Sequence, residues 1–383
     1  MNIGFIRMRY TPYGGAEVFL SRFIDELIKN GHTCHLFAAQ WDKDGKDDVI
    51  FHKVKTFGPS FLRLLSFAVN AWFVVKRIAP DVIVSFERTL YQDIYRAGDG
   101  CHKEWLIQRK KSGGRSVIKN IITFLNPLHL TILYLEKRLF RSKKLKYVVA
   151  NSNRGKEEII RHYKLPADNI CVIYNGIDIN EFKPGCIDKN RAAYREKLNI
   201  KDETALLFVG SGFERKGLGF LIEAVGILKR SGYNKIKLIV AGKGKIKKYK
   251  NAADRLGIGK DVIFTGPVKD VQGYYSASDI FVLPSIYEPF SNACLEAMAS
   301  GLPVVTSRIN GASEILTDGK DGIIIDNPSN PEEIAEKIKP LLAGQARHAA
   351  GMEARMTVAK YSIEKNVERF LRLIDDVRGG LKG

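Results

Sequence analysis

Several features that would place the chain in a special class are scarce or missing. The five cysteines are scattered, odd in number and form no Cys-x-x-Cys pair, which argues against a disulfide framework or a zinc site and for a reducing compartment. The first twenty residues hold no sustained apolar run, so we predict no signal peptide. The longest uncharged stretch, Asn120 to Leu135, is interrupted by Pro127 and is shorter than the roughly 20 residues of a spanning helix. We therefore expect a cytoplasmic or peripheral membrane protein.

The composition indicates a folded protein with a large positive charge. Of the 383 residues, 45% are hydrophobic and 27% charged, as in globular proteins, and the length suits two α/β domains. The formal charge is +19, for which nucleic acid or an anionic membrane surface is the usual partner. Residues 102–147 hold twelve Lys or Arg and two Glu, so +10 of the excess lies in this segment.

Strands alternate with helices along both halves of the chain, which predicts βαβ units and parallel sheets. After a polar hinge at Asn175 to Asp178 the pattern restarts, and six apolar runs between Ala205 and Asp326 predict a second sheet. The first of its strands is predicted at Ala205 to Gly210, and a helix at Leu218 to Arg230. The fold class is therefore α/β, with two Rossmann-like, doubly wound domains. We place them at residues 1–174 and 175–361, with an amphipathic C-terminal helix, residues 362–383, packing back on the first.

Residues 280–303 combine a buried strand, a polar loop and a short helix. Ser291 and Asn292 are suited to begin the helix, and a helix start beside a strand end favours anions. Glu288 lies in the loop, and Glu296 follows eight positions later among small apolar residues. These carboxylates are suited to sugar hydroxyls and a ribose diol, whereas solvated surface charges are the alternative.

Two glycine turns accompany predicted helix starts. Gly210 ends a strand, and Arg215 and Lys216 follow where the next helix begins. Adjacent cations there suit a diphosphate, although a basic surface pair is the alternative in so basic a chain. Gly14 and Gly15 either let the backbone approach a phosphate or form a simple tight turn. They do not make the Gly-x-Gly-x-x-Gly fingerprint, which weakens a dinucleotide-dehydrogenase interpretation.

Together these motifs resemble glycosyltransferase family 4. The similarity is carried by EPFSNACLEAMASGLPVV, VGSGFERKG and VIYNGID, with the N-terminal glycine pair, and covers essentially the whole chain. The resemblance implies the GT-B fold, in which two Rossmann-like domains face a central cleft and the second binds most of the donor. It also implies retaining, metal-independent transfer from a nucleotide sugar, without a cofactor.

The family pattern assigns roles to individual positions. It places Arg215 and Lys216 on the donor diphosphate, where they offset charge on the departing nucleotide. Glu288 is expected on the donor sugar and Glu296 on the ribose. The other donor-binding candidates lie beside these motifs: Gly14, Gly15, Gly210, Phe290, Ser291 and Asn292.

A further candidate lies in residues 95–105, a glycine-containing loop after a short strand. The segment resembles that of bacterial lipopolysaccharide core glucosyltransferases that act on a heptose. Their loop also carries an aspartate at the position of Asp99, which predicts Asp99 as a catalytic residue at the reacting sugar, with His102 as the alternative. A second acidic residue of that subgroup falls at Phe19 here, and nearby Glu17 is the candidate substitute.

The basic segment, residues 102–147, surrounds an apolar middle at residues 118–135. Such a stretch suits an anionic leaflet, with partial core packing as the alternative. Nucleic acid would require cations interleaved with exposed aromatics on a known binding module, and none is found, so nucleic acid is not an expected partner. We predict a peripheral location on the inner face of the cytoplasmic membrane.

The predicted function is transfer of a hexose, of glucose or N-acetylglucosamine type, from a UDP-sugar to a lipopolysaccharide-core or other glycolipid acceptor. A nucleotide-sugar epimerase or phosphorylase on the same fold is one alternative, because fold does not fix function. A non-catalytic binder of anionic membranes with a degenerate site is the other.

Overall fold

The chain divides into two compact units, Met1–Asn175 with Ile363–Gly383, and Gly176–Ser362. The predicted domain boundaries differ from this division by one residue. The structure, a computed structural model, describes residues 1–10, 15–41, 48–112, 126–182 and 184–379, with the backbone alone at 15–18 and 184–189.

A parallel sheet forms the centre of the first unit. The described strands of this unit are β1 (Asn2–Ile6), β2 (Arg9–Tyr10), β3 (Thr33–Ala38), β4 (Gln40–Trp41), β5 (Val49–Lys53), β6 (Val82–Ser85), β7 (Ile94–Arg96), β8 (Tyr147–Ala150) and β9 (Ile170–Val172). The strand order is β5-β3-β1-β6-β7-β8-β9, while β2 and β4 pair separately. The helices are α1 (Gly15–Lys29), α2 (Ser60–Ile78), α3 (His102–Ser112), α4 (Pro127–Phe140) and α5 (Asn153–Tyr163). Central strands such as β6 are buried throughout, as expected of a parallel sheet covered on both faces.

The second unit repeats the same architecture. It begins with α6 (Pro184–Lys197), and its strands are β10 (Thr204–Val209), β11 (Ile236–Ala241), β12 (Val262–Gly266), β13 (Ile280–Leu283), β14 (Val304–Ser307) and β15 (Gly322–Ile325). All described pairs are parallel, in the order β12-β11-β10-β13-β14-β15. The intervening helices are α7 (Leu218–Arg230), α8 (Ile246–Arg255), α9 (Gln272–Ala277), α10 (Asn292–Ala299), α11 (Pro331–Ile338) and α12 (Gly344–Val358). Short 3-10 turns lie at Ala167–Asn169, Gly259–Asp261, Gly311–Ile315 and Lys339–Leu342.

The last helix, α13 (Ile363–Gly379), belongs to the first unit. Its apolar side includes Val367 and Phe370, which are buried in the same core as β1 and α1. The Phe370 ring lies 5.1 Å from the Phe23 ring, centroid to centroid. The 3.6-residue spacing of these apolar side chains places the C-terminal segment against the N-terminal half of the chain.

Strand order in the second unit places three loops side by side. β10, β13 and β14 are neighbours and run parallel, so the loops that follow them leave the same edge of the sheet, where such sheets bind ligands. The predicted motifs lie on the first two of these loops. The predicted fold class, two Rossmann-like parallel-sheet domains, is confirmed.

Candidate functional site

The turn after β10 brings two cations to this edge. Gly210 has a φ of 140°, and a Cβ there would lie 2.6 Å from Cε of Lys216, so glycine leaves room for the lysine stem. Gly217 has a φ of 75°, and a Cβ there would lie 1.9 Å from the carbonyl oxygen of Pro284. Only glycine combines this left-handed backbone with so close an approach. The loops after β10 and β13 therefore fit together through Gly217.

Glu288 is buried, and its carboxylate pairs with two cationic side chains. Lys216 donates from Nζ to Oε2 of Glu288 at 2.7 Å, and Arg215 donates to Oε1 at 3.1 Å. The side chains of Lys216 and Glu288 are only 10% and 9% exposed. Burial acts to raise the pKa of Glu288, but the charges of Lys216 and then Arg215 outweigh it and hold the pKa below its ordinary value. Glu288 is therefore ionised at neutral pH and forms a triad with Lys216 and Arg215.

Helix α10 begins directly beside this triad. Ser291 occupies its N-cap position, as predicted, but the Ser291 side chain makes no cap hydrogen bond. The buried Asn310 amide instead accepts from the backbone N–H of Ser291 at 3.2 Å and of Ala312 at 3.1 Å. The Glu288 carbonyl accepts from Gly311 N–H at 3.0 Å. The loop after β14 thus fixes the helix start, whose first-turn amides favour an anion.

Glu296 lies further along α10 and has one specific side-chain partner. The buried Tyr275 hydroxyl donates to Oε2 of Glu296 at 2.8 Å and also lies 3.2 Å from the carbonyl oxygen of Ala293. Burial raises the pKa of Glu296 above its ordinary value, the Tyr275 hydrogen bond opposes the rise, the Glu181 charge adds to it, and the Lys216 charge opposes it. The Lys216 charge therefore influences both predicted carboxylates, Glu288 and Glu296.

Asp99 and His102 lie in the first unit. The Asp99 side chain is 66% exposed, and its Oδ2 lies 3.8 Å from Arg88. Arg88 also pairs with the buried Glu136 at 2.9 Å. His102 is the first residue of α3 rather than a loop residue, and its ring lies 3.0 Å from that of His129. Burial, followed by the charge of Arg88, lowers the pKa of His102 to about 4, so His102 is neutral at pH 7.

The structure brings part of the predicted set together. Within the second unit it gathers the candidates Gly210, Arg215, Lys216, Glu288, Phe290, Ser291, Asn292 and Glu296. Gly14 and the apolar positions 118–125 of the basic segment lie outside the described residues. Gly15 and Glu17 lie at the start of α1, in residues 15–18, of which only the backbone is described.

Three residues important to this site were not predicted. Asn310 follows the end of β14, so a polar residue after a buried strand was a signal that the sequence offered. Tyr275 lies 21 positions before Glu296 in the sequence, and their pairing has no local signature. Gly217 was part of a quoted motif, but its contact with Pro284 depends on strand order. Among the described ranges, no three His, Cys, Asp or Glu side chains are grouped to hold a metal ion.

Comparison with known sequences identifies proteins that are similar to this chain. Residues 13–181 match the family described as Glycosyltransferase Family 4, and residues 190–365 match Glycosyl transferases group 1. An uncharacterised glycosyltransferase of Methanocaldococcus jannaschii is 36% identical over 90% of this chain and 89% of its own length. The lipopolysaccharide glucosyltransferase WaaG of Escherichia coli strain K12 is 26% identical over 100% of both chains.

Solved structures show the same fold. The crystal structure of WaaG, a glycosyltransferase involved in lipopolysaccharide biosynthesis, matches with a TM-score of 0.83 over 97% of this chain and 99% of that chain, at 24% identity. The Anabaena HepE structure in complex with UDP-glucose matches with a TM-score of 0.74 over 98% and 100%, at 19% identity. The fold of two Rossmann-like domains predicted from the sequence is therefore the fold of these structures.

Proposed function

The chain belongs to glycosyltransferase family 4, and we propose that it transfers a hexose, of glucose or N-acetylglucosamine type, from a UDP-sugar to a lipopolysaccharide-core or other glycolipid acceptor with retention of configuration. The triad of buried Lys216 and Glu288 with the partly exposed Arg215 carries this proposal. It concentrates two cations and one carboxylate at the carboxyl edge of a parallel sheet, beside a helix start. This arrangement suits a diphosphate attached to a hydroxyl-bearing sugar.

The donor fits the triad group by group. Lys216 supplies a point charge and Arg215 a planar, partly exposed guanidinium for the diphosphate. The amides that begin α10 add donors for the same anion. Glu288, once the phosphates engage the cations, accepts hydrogen bonds from the sugar hydroxyls, and Glu296 accepts from the ribose diol. WaaG is a glucosyltransferase, which supports glucose as the donor sugar. The UDP-glucose bound to HepE supports uridine as the donor nucleoside.

Retention is proposed through a front-face mechanism. The bond from the anomeric carbon to the leaving phosphate oxygen breaks while the bond to the acceptor oxygen forms on the same face, and the acceptor proton passes to the departing phosphate. We propose that Lys216 and Arg215, rather than a metal ion or cofactor, offset the charge that develops on the nucleotide. Asp99 is proposed to contact the reacting sugar, which agrees with its exposed carboxylate.

A membrane-bound acceptor is supported by the surface of the basic segment. Its two acids, Glu104 and Glu136, are 3% and 1% exposed, so they do not offset charge at the surface. Phe73 on α2, and Leu130 and Tyr134 on α4, are exposed, and the two helices pack together. Among the described residues of the segment, the exposed cations are Lys103, Lys110, Lys111, Lys137, Arg138, Arg141, Lys143 and Lys146. Apolar side chains among cations suit the anionic inner face of the cytoplasmic membrane.

Among the helices that the structure describes, none has the length and apolar composition of a membrane span.

The test combines a donor screen with two site variants. Thermal shift identifies the donor, because a bound ligand stabilises the folded state. With that donor, Lys216→Ala and Glu288→Ala are each expected to lower kcat/KM by about a hundredfold or more. Lys237→Ala is the control, since Lys237 forms a partly buried pair with Asp261 at 3.0 Å outside the site. Activity of both site variants within a few-fold of the parent would refute the proposal, and epimerisation of donor without acceptor would favour the alternative enzyme.

A further inference from the structure

The second unit carries a row of lysines that the proposed donor site does not use. Five of the eight residues from 243 to 250 are lysine and none is acidic. All five side chains are exposed. They form the lysine row: Lys243, Lys245, Lys247, Lys248 and Lys250. Together they contribute +5 to the formal charge of +19, in addition to the +10 of the basic segment.

The positive charges of the lysine row are electrostatically unfavourable at the start of α8. Lys245 is at the N-cap of α8, and the first turn contains no acidic residue and no side-chain cap. Cations at a helix N-terminus face the positive end of the helix dipole. Lys245 and Lys248, like Lys247 and Lys250, are three positions apart, where like charges repel. A charge pattern that breaks local rules without compensation is typical of a functional surface.

The described part of the chain does not neutralise this surface. No ion pair among the described residues involves any of the five lysines. Among the described residues, the ring contact of the row is that of the Lys248 ammonium, 5.2 Å from the ring centroid of the adjacent Tyr249. An anion from outside the chain would relieve the repulsion.

Packing fixes the lysine row in place. Tyr249, on the opposite face of α8, is buried, and its ring meets that of Phe213 edge-on at 5.5 Å. Gly244 lies directly against the same phenylalanine, since a Cβ there would be 2.3 Å from the Phe213 ring. Phe213 belongs to the turn that carries Lys216. The lysine row is therefore a surface of the folded unit rather than a loose basic tail.

We propose that the lysine row docks the second unit on an anionic phospholipid surface. The inference rests on the proposed membrane-associated function and adds a second attachment, on the other unit from the basic segment. A cluster of four to eight cations on an amphipathic helix is suited to anionic headgroups. The donor diphosphate is the other available anion, but it already has Arg215 and Lys216. Five exposed lysines, of which three lie in α8 and two directly precede it, match an extended surface better than one diphosphate.

The test uses the full chain and vesicles of phosphatidylcholine with or without phosphatidylglycerol. In the row variant all five lysines become Gln. In the control variant the same number of lysines, scattered over the same unit, become Gln: Lys201, Lys260, Lys269, Lys337 and Lys360. We expect the row variant to bind anionic vesicles at least about tenfold more weakly than the parent at low salt. The control should stay within about twofold, and high salt should remove the difference.

Each outcome decides one point. The row variant should melt no lower than the parent, because its substitutions relieve repulsion, so weak binding would not reflect misfolding. Equal vesicle binding by parent and row variant overturns the inference while leaving the proposed function intact. If vesicle binding is unchanged but the KM for the donor, measured with a soluble acceptor, rises several-fold, the row serves donor capture. This result also overturns the inference. Transfer to the soluble acceptor reports on the proposed function independently of vesicles.

Discussion

Glu288→Gln separates the two roles that the structure assigns to this side chain. In the structure the carboxylate accepts from Lys216 at 2.7 Å and from Arg215 at 3.1 Å. Glutamine keeps the size and one acceptor oxygen but removes the negative charge. Lys216, 10% exposed, is then a buried cation without its anionic partner. The variant should therefore be less stable than the parent in the absence of donor.

The expected loss follows from the burial of the pair. Removing one partner of a buried ion pair typically costs about 3–5 kcal/mol. In Glu288→Gln the amide oxygen can still accept a hydrogen bond, and Arg215 is 33% exposed. We therefore expect a loss of stability at or below the low end of this range, about 2–3 kcal/mol. For a unit of this size each kcal/mol shifts the unfolding midpoint by about 2–4 °C. We expect the midpoint of the second unit to fall by about 4–12 °C.

UDP should partly restore this loss. In the parent, the diphosphate shares Lys216 and Arg215 with Glu288, whereas in the variant it meets cations that have no carboxylate. UDP lacks the sugar, so the loss of the Glu288 contact to sugar hydroxyls does not enter. At equal excess, UDP should raise the midpoint of the variant more than that of the parent, with a Kd up to about tenfold lower. Turnover with the complete donor should still fall.

The control for this experiment is Asp261→Asn. Asp261 accepts from Lys237 at 3.0 Å and lies 3.1 Å from Lys229, so its loss also breaks ion pairs of the second unit. The control should lose stability without any gain in the UDP shift. Differential scanning fluorimetry with a UDP titration measures all three proteins. A UDP shift of Glu288→Gln no larger than that of the parent, or matched by the control, would refute the proposed exchange of partners.

Acid pH provides a second measurement on the same carboxylate. Its pKa lies below the ordinary value of 4.5, despite burial, because the two cations favour the charged form. The unfolded state therefore binds the proton first, and the stabilisation is fully present above pH 4.5 and lost as pH falls below it. Between pH 5 and 3 the midpoint of the parent should fall more than that of Glu288→Gln. Parallel curves would contradict the assigned charge state.

Substitutions at three other residues test the surrounding structure. Gly217→Ala should cost about 3 kcal/mol or more, because its Cβ would meet a carbonyl oxygen at 1.9 Å, whereas Gly257→Ala, with a φ of 73° and nothing within 4 Å, should cost about 1–2 kcal/mol in the same urea titration. Tyr275→Phe leaves Glu296 without its hydroxyl donor and should cost about 1–3 kcal/mol, with the kinetic effect mainly on donor KM; an effect confined to kcat would contradict the ribose role. His102, whose pKa is lowered to about 4 by burial and by the charge of Arg88, stays neutral in the folded state while the unfolded state takes up a proton below pH 6.5. The parent should therefore lose up to about 3 kcal/mol between pH 6.5 and 4, and a His102→Gln variant that loses as much would exclude this assignment.

Local periodicity was sufficient to predict much of the second unit. The apolar spacing predicted a helix at Leu218 to Arg230, and the structure has α7 at those residues. The predicted strand from Ala205 to Gly210 lies within one residue of β10. Both elements depend on side chains close in sequence, since strand alternation and helix spacing are local properties. Parallel order then follows from alternating strands and helices.

Contacts within the site required the fold. The Lys216 and Glu288 carboxylate pair spans 72 positions, and the Tyr275 bond to Glu296 spans 21. Neither has a local signature, because each depends on which strands are neighbours. The basic segment shows the same limit. A charge count treats Glu104 and Glu136 like any surface acid, whereas the structure buries both against cations of other elements.

The partner exchange at Glu288 also predicts what Lys216→Ala does to the empty site. Without the nearer cation, burial is opposed mainly by the partly exposed Arg215, so the pKa of Glu288 should rise toward and beyond its ordinary value. The carboxyl group then becomes easier to protonate, and the acid-dependent loss of stability that the cations impose should shrink. Glu288→Gln and Lys216→Ala thus affect opposite halves of one interaction. The first should leave a cation that UDP can satisfy, whereas the second removes the cation itself, so UDP should stabilise Lys216→Ala less than the parent.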